Sequence, residues 1–155
     1  YAKEVEQGDK RLLYNGYNSG CQSGSPISLF IQPGDDMRYL YITEGEKKGM
    51  VMNQFLHCPT GSMPGVHTFS KLFENVYGKN YSIMDYLIQR GLEAVIIVYD
   101  ADKAVNMHVL SAEKGLIEKC KSYEVITFVG EWDPRYGKGA DDILIQGKNF
   151  EFYQQ

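Results

Sequence analysis

Five carboxylates in three short motifs carry the residue types best suited to chemistry in this chain: Glu44, the pair Asp100 and Asp102, and the pair Asp141 and Asp142. Carboxylate oxygens are the ligands that hard cations such as Mg²⁺ or Mn²⁺ prefer. Magnesium is usually held by one or two carboxylates, with water and substrate phosphates completing its shell. Two such ions can bind the attacking and leaving oxygens of a phosphoryl displacement. The motifs therefore predict metal-dependent phosphate chemistry.

Two of the acidic motifs also have structural explanations. Asp100 and Asp102 flank the small Ala101, and side chains two apart on an extended segment point the same way, so both can face one ion. The same residues are compatible with a strand end followed by an aspartate that caps a helix. Asp141 is likewise compatible with the N-cap of a short helix.

The segment Thr43-Glu44-Gly45-Glu46 has two interpretations as well. Thr43 with a glutamate three residues later has the spacing of a capping box. Gly45 argues against that interpretation, because glycine in a first helical turn costs roughly 1 kcal/mol against alanine and often marks close approach by backbone or ligand.

Lys47, Lys48 and Lys138 lie close to the acids in sequence and are candidates for contact with phosphate or nucleic acid. Lys138 lies in a glycine-rich loop, whereas Lys47 and Lys48 are also compatible with a solvated helix face. The loop is not a Walker A motif, because that motif's spacing and its Ser or Thr after the lysine are absent.

The elements that must position these residues follow from hydrophobic patterning. The apolar runs 39–43 and 95–99 are typical of strands buried on both faces, and acids directly after them would lie at the carboxyl edge of a parallel sheet, where open α/β sheets bind ligands. A strand at 27–32 is predicted to form a hairpin with 38–43. Further strands are predicted at 65–69, 93–99, 123–129 and 149–153, and helices at 45–57, 70–77, 82–89, 103–121 and 140–145. The order predicts an α/β fold with a mostly parallel sheet between helices.

Composition restricts the class of protein. The chain has 155 residues, 43% of them hydrophobic, which suits one packed domain, and its net charge of −4 argues against binding nucleic acid through bulk electrostatics. Cys21, Cys58 and Cys120 lack zinc-site spacing and are expected to be reduced and mostly buried. No membrane span or signal peptide is recognisable, so we expect a cytoplasmic protein without a membrane partner. The first residue, Tyr1, suggests a piece of a longer polypeptide.

Together, these motifs resemble the Toprim domain, a Rossmann-like metal-binding module of topoisomerases, bacterial primases and some nucleases. More narrowly, they are similar to Toprim-like domains of uncharacterised function in replication proteins of plasmids, phages and mobile elements. The similarity extends over residues 38–147, and residues 1–37 would form an N-terminal extension to a domain at 38–155. The chain departs from the usual pattern at Val105, where a glycine is usual. The similarity rests on the following segments: 44–48, 65–66, 99–102 with Asn106, Trp132, and 138–142.

The resemblance implies a role for each acid. Glu44 would be the general acid/base or a metal-contacting carboxylate, Asp100 and Asp102 would be ligands of Mg²⁺ or Mn²⁺, and Asp141 or Asp142 would be an accessory acid. It implies DNA, RNA or nucleotides as substrates and primase or helicase domains as partners.

Four functions remain open from the sequence. They are a nucleotidyltransferase of a mobile-element DNA primase, a Toprim-type nuclease, a degenerate module that binds nucleic acid or a helicase without chemistry, and an unrelated receiver domain with Asp100 as phosphoryl acceptor.

Overall fold

The computed structural model describes residues 27–75, 80–100 and 106–155, which form an α/β fold built on one six-stranded mixed sheet. The strand order is β1-β3-β2-β4-β5-β6. The four central strands run parallel to one another, and β1 and β6 are antiparallel edge strands. The strands are β1 (Ser28–Phe30), β2 (Tyr39–Glu44), β3 (Thr60–Met63), β4 (Ala94–Ile97), β5 (Ile126–Glu131) and β6 (Glu151–Gln154).

Helices cover both faces of the sheet. They are α1 (Glu46–Leu56), α2 (Ile83–Gln89), α3 (Met107–Ser122) and α4 (Ala140–Ile145), with 3₁₀ helices at Val66–Leu72 and Pro134–Tyr136. Ser82 begins α2 with a capping box to Asp85, and the Asn106 side chain accepts hydrogen bonds from His108 N and Val109 N at the start of α3. Both helix starts therefore follow from local sequence chemistry.

The core consists of two layers separated by the sheet. Leu40, Ile42 and Ile97 face α2, α3 and the first 3₁₀ helix, where Leu116 of α3 is fully buried. On the opposite face, Tyr41, Ile96 and Val98 pack with Met52 of α1 and Ile143 of α4. Successive strand residues alternate between the layers, as expected for a sheet buried on both sides.

Most predicted elements are confirmed, with bounds that differ by a few residues. This holds for α1, α2 and α4, and for β4, β5 and β6. The predicted helix at 103–121 corresponds to α3, whose first residue is Met107, while residues 101–105 lie outside the described ranges. No helix among the described residues is long and apolar enough to cross a membrane.

The predicted hairpin between the first two strands is wrong. β1 pairs antiparallel with β3, with Ser28 opposite Ser62, and β3 lies between β1 and β2. The turn at 33–36 reverses the chain, but Asp36 N donates to His57 O over 2.8 Å and so ties the turn to the end of α1. Since β2 is flanked by its parallel neighbours β3 and β4, only the outer edge of β3 is left for β1.

The predicted strand at 65–69 is also wrong, because Val66–Leu72 is a 3₁₀ helix. The strand lies just before it, at Thr60–Met63, and all four of its residues are buried. The same 3₁₀ helix replaces the first part of the helix predicted at 70–77, and residues 76–79 lie outside the described ranges. Thr60, Gly61 and Ser62 form no apolar run, which is why patterning missed this strand.

Candidate functional site

The carboxyl ends of β2 and β4 lie side by side and carry two of the predicted acids. Ile42 is opposite Ile97 in the parallel ladder, and Val98 N donates to Ile42 O over 2.8 Å just beyond it. Glu44 is the last residue of β2, and Asp100 follows the end of β4 by three residues. Both residues therefore lie at the edge where α/β sheets usually bind ligands.

Asp100 is held by lysines on both of its oxygens. Lys48 Nζ donates to Asp100 Oδ1 over 2.5 Å, and Lys138 Nζ lies 3.9 Å from Oδ2. The Asp100 side chain is only 15% exposed, against 28% for Lys48 and 67% for Lys138. A largely buried carboxylate in a cationic setting is thereby neutralised within the protein.

The Glu44 side chain lies on the opposite face of the sheet from Asp100. It pairs with Met63, which belongs to the core layer beneath α3, whereas Lys48 and Asp100 meet on the α1 side. Burial raises the pKa of Tyr99, and the charges of Glu113 and Glu44 raise it further, so Glu44 lies near the Tyr99 ring. The Tyr99 hydroxyl donates to Val66 O over 3.4 Å.

The capping-box interpretation of Thr43 and Glu46 is wrong. The Thr43 hydroxyl is fully buried and donates to Val98 O over 3.2 Å, while Glu46 accepts a hydrogen bond from Ser28. Gly45 occupies the N-cap with φ 91°, a left-handed conformation that favours glycine, and makes no side-chain cap. The first amides of α1 are thus not capped by a side chain at the Gly45 position.

Burial raises the pKa of the Glu46 carboxyl, and the hydrogen bond from Ser28 opposes that effect. Glu46 therefore belongs to the contact between α1 and β1 rather than to the cluster around Asp100.

The loop after β5 brings the third acidic motif to the same edge. Trp132 Nε1 donates to Gly137 O over 2.8 Å, which closes the loop. A Cβ added to Gly139 would lie 2.5 Å from Asp141 Oδ1 and 3.0 Å from Lys48 Cε, so the loop backbone packs directly on the Lys48 stem. A larger residue at position 139 would require these two side chains to shift.

The prediction that Asp141 caps α4 is wrong, because Gly139 occupies the N-cap. Asp142 Oδ2 accepts a hydrogen bond from Gly139 N over 3.1 Å, so Asp142 holds the loop against the first turn of α4. Asp141 lies beside Gly139 and Lys48 instead.

Two predicted site residues remain, Lys47 and Asp102. Lys47 is exposed on the first turn of α1, next to Lys48. Asp102 lies outside the described residues, and with it the predicted carboxylate pair of Asp100 and Asp102.

Two features near this edge were not predicted from the sequence: the buried Glu113 and the ion pair of Lys48 with Asp100. Glu113 is buried on α3 near Tyr99, and its position four residues after Val109, on the apolar stripe of the helix, was an available signal. The direct contact of Lys48 with Asp100 joins residues 52 apart in sequence, so no local pattern reports it.

The described residues at this edge do not form a complete set of metal ligands. Within 27–75, 80–100 and 106–155, no three His, Cys, Asp or Glu side chains are grouped closely enough to hold one ion. The described donors are carboxylates, and a protein cation already lies at hydrogen-bond distance from Asp100. Since Mg²⁺ is usually held by one or two protein carboxylates, Asp100 is retained as the candidate ligand, with Lys48 at hydrogen-bond distance from one of its oxygens.

A family model matches residues 35–150, which is more than half of the chain. The chain belongs to the DUF3854 family, described as a domain of unknown function. The DUF3854 match contains β2 to α4 and every candidate residue named above, while β1 and β6 lie outside it. No curated protein and no solved structure was found to match the chain.

Proposed function

We propose that this domain is a Toprim-like, Mg²⁺- or Mn²⁺-dependent nucleotidyltransferase within a DNA primase or replication protein of a plasmid, phage or other mobile element. One observation carries the proposal: Glu44 ends β2, Asp100 follows the end of the neighbouring parallel strand β4, and Lys48 and Lys138 lie beside the Asp100 carboxylate. Its substrates are nucleotides and nucleic-acid phosphodiesters, and neighbouring primase or helicase domains are its partners.

Each side chain has a role in this scheme. Asp100, together with Asp102, would hold the metal, and Glu44 would accept or donate a proton or contact the ion. Lys48 and Lys138, which flank the Asp100 carboxylate, would bind substrate phosphate, since ammonium groups pair strongly with phosphate oxygens. Asp141 is an accessory acid beside them. When bound, the metal would activate a 3′-hydroxyl and stabilise charge on the triphosphate.

The same residues also support a nuclease, in which water replaces the 3′-hydroxyl as nucleophile. A degenerate module would keep the strand ends but bind metal weakly, and would act by binding nucleic acid or a helicase. A receiver domain is less well supported, because receivers use an acidic pair after the first strand. Here Glu46 is directed to Ser28 instead of to Asp100.

The test compares Asp100→Asn with the wild type in primer synthesis and in DNA and RNA cleavage, each with Mg²⁺ or Mn²⁺. We expect the active reaction to fall on the order of 10²-fold, typical of removing one transition-state contact. Asp36→Asn is the matched control, because Asp36 also pairs with a cation, Arg38 at 2.8 Å, but precedes β2 at the opposite end of the sheet. Wild-type activity in Asp100→Asn would refute the catalytic role. Inactivity of the wild type in every assay would favour the degenerate module.

A further inference from the structure

We propose that the outer edge of β6 is a docking site for an extended segment of a partner protein in which basic and apolar residues alternate. The segment would add one strand to the sheet, as in other cases where a peptide pairs with a sheet edge. Its basic side chains would lie on the α3 face of the sheet and its apolar side chains on the face of α1 and α4. The inference does not depend on the chemistry at Asp100.

The backbone of β6 offers hydrogen-bonding groups along its outer side. β6 is the last strand in the order of the sheet, and all four of its residues are exposed. Gln155 N donates to Thr127 O over 2.9 Å, and hydrogen-bonded pairs alternate with non-hydrogen-bonded pairs in an antiparallel ladder. Tyr153 therefore directs its backbone groups to β5, while those of Phe152 and Gln154 point away from the sheet. β6 also has no lysine or proline, the residues that commonly block such an edge.

Phe152 extends the apolar core to this edge. Its ring packs edge to face on Phe150, with the ring centroids 6.2 Å apart, and Phe150 is buried in the layer beneath α1 and α4. Phe152 itself is 49% exposed. Apolar side chains opposite Phe152 and Gln154 on an added strand would cover its ring. The ring also lines a cavity of about 250 Å³ together with Tyr39, Tyr41, Ile96 and Phe128.

The other face of the same edge is acidic. Glu151 lies directly opposite Glu131 of β5, so two carboxylates occupy neighbouring positions on the α3 face. The Tyr153 hydroxyl donates to Glu151 Oε2 over 2.7 Å, which raises the pKa of Tyr153, and the charges of Glu151 and Glu131 raise it further. Like charges in directly opposite positions are unfavourable, and a lysine or arginine on an added strand would offset them. This face therefore favours a basic partner.

The same charges argue against a second copy of this chain as the occupant. Two β6 strands paired about a twofold axis would bring Glu131 and Glu151 of both copies to one face of one edge. The net charge of −4 adds to that repulsion. A basic extended segment would meet the same backbone groups without it.

The first test measures the binding of synthetic peptides of about eight residues to the full chain by fluorescence anisotropy. One peptide alternates lysine with valine, and a second alternates glutamate with valine. A third has the composition of the first, with its lysines and valines in separate blocks. We expect the alternating basic peptide to bind about tenfold more tightly than either of the others, because it alone matches both faces of the edge.

Amide hydrogen exchange then locates the bound peptide. Since the amides of Phe152 and Gln154 point outward, saturating alternating basic peptide should slow their exchange about tenfold. The Tyr153 amide should change little, because it is already paired with β5.

Three variants, with folding checked by circular dichroism, separate the contributions of backbone and charge. Gln154→Pro removes an outward N–H and keeps the pairing with β5, so peptide binding should weaken about fivefold. Glu151→Gln should weaken it about threefold. Glu118→Gln is the matched control, because it removes an exposed charge from α3 and should leave binding unchanged.

Three results would overturn the proposal. They are the absence of peptide binding, equal binding of the three peptides, and binding that leaves the Phe152 and Gln154 amides unprotected. A dimer of the chain that protects these amides without peptide would overturn it as well, because a second copy would then occupy the edge.

Discussion

The Thr43 hydroxyl connects the end of β2 with the segment that follows β4. Its loss should change both the stability of the domain and the properties of the site. It is fully buried and donates to Val98 O over 3.2 Å. Thr43→Val preserves the shape but removes the hydrogen bond, so we expect a loss of about 1 kcal/mol in the free energy of unfolding. Under the proposed function, metal affinity measured by calorimetry should fall as well, because the hydrogen bond ties Val98, two residues before Asp100, to β2.

Thr127→Val provides the comparison for that variant. The Thr127 hydroxyl is also buried and donates to Val125 O over 3.3 Å, but it lies at the start of β5, away from the edge. We expect a similar loss of stability and unchanged metal affinity. If both variants bind metal equally well, the Thr43 contact has no part in positioning Asp100.

At the residue scale, the sequence reveals which acids follow strands but not what they contact. Glu44 and Asp100 were identifiable because each ends an apolar run. The partner of Thr43 lies 55 residues away and the partner of Lys48 lies 52 residues away, so both depend on strand pairing. A local pattern, the capping box, was available for Thr43 and was overridden by that pairing.

At the scale of elements, glycine at position 49 lets α1 pack closely on β3. A Cβ added to Gly49 would overlap Ser62 Oγ and lie 3.0 Å from Ser62 Cβ and 3.2 Å from Phe30 Cε2. The hydroxyl can rotate away, but the other two contacts remain. Gly49→Ala should therefore destabilise the protein by about 1–3 kcal/mol, measured by denaturant unfolding, as overpacked cores do.

Gly65→Ala is the control for Gly49→Ala. An added Cβ at Gly65 meets nothing within 4 Å, and its φ of −154° is ordinary extended backbone. We expect its free energy of unfolding to stay within about 0.5 kcal/mol of the wild type. Equal stability of the two variants would show that α1 can move away from β3 at little cost.

Residue patterning explains which elements could be predicted from the sequence and why β3 could not. Helices α1, α2 and α4 have apolar periodicity or end signals, and they were predicted correctly. β3 was missed because its residues Thr60, Gly61 and Ser62 are small and polar, although small size is what lets α1 pack closely on it. The partner of β1 depended on that missed strand, so the hairpin error followed from it.

At the scale of the whole molecule, the two described cysteines report on the two core layers separately. Cys120 packs in the layer beneath α3, and Cys58 packs in the layer beneath α1 and α4. Burial raises the pKa of Cys58 to about 11 and that of Cys120 to about 12. Since only the thiolate reacts, no more than about one Cys58 thiol in a thousand is ionised at pH 8.

We therefore expect both thiols of a Cys21→Ser chain to resist Ellman's reagent at pH 8 in the folded state and to react on unfolding. The layers share one sheet, so they should open together, as expected of a two-state domain. Reaction measured against denaturant concentration should then give the same midpoint for Cys58 and Cys120. Reaction of Cys58 at clearly lower denaturant would show instead that α1 and α4 detach first. The Asp100 edge would then open before the rest of the core, because α1 carries Lys48.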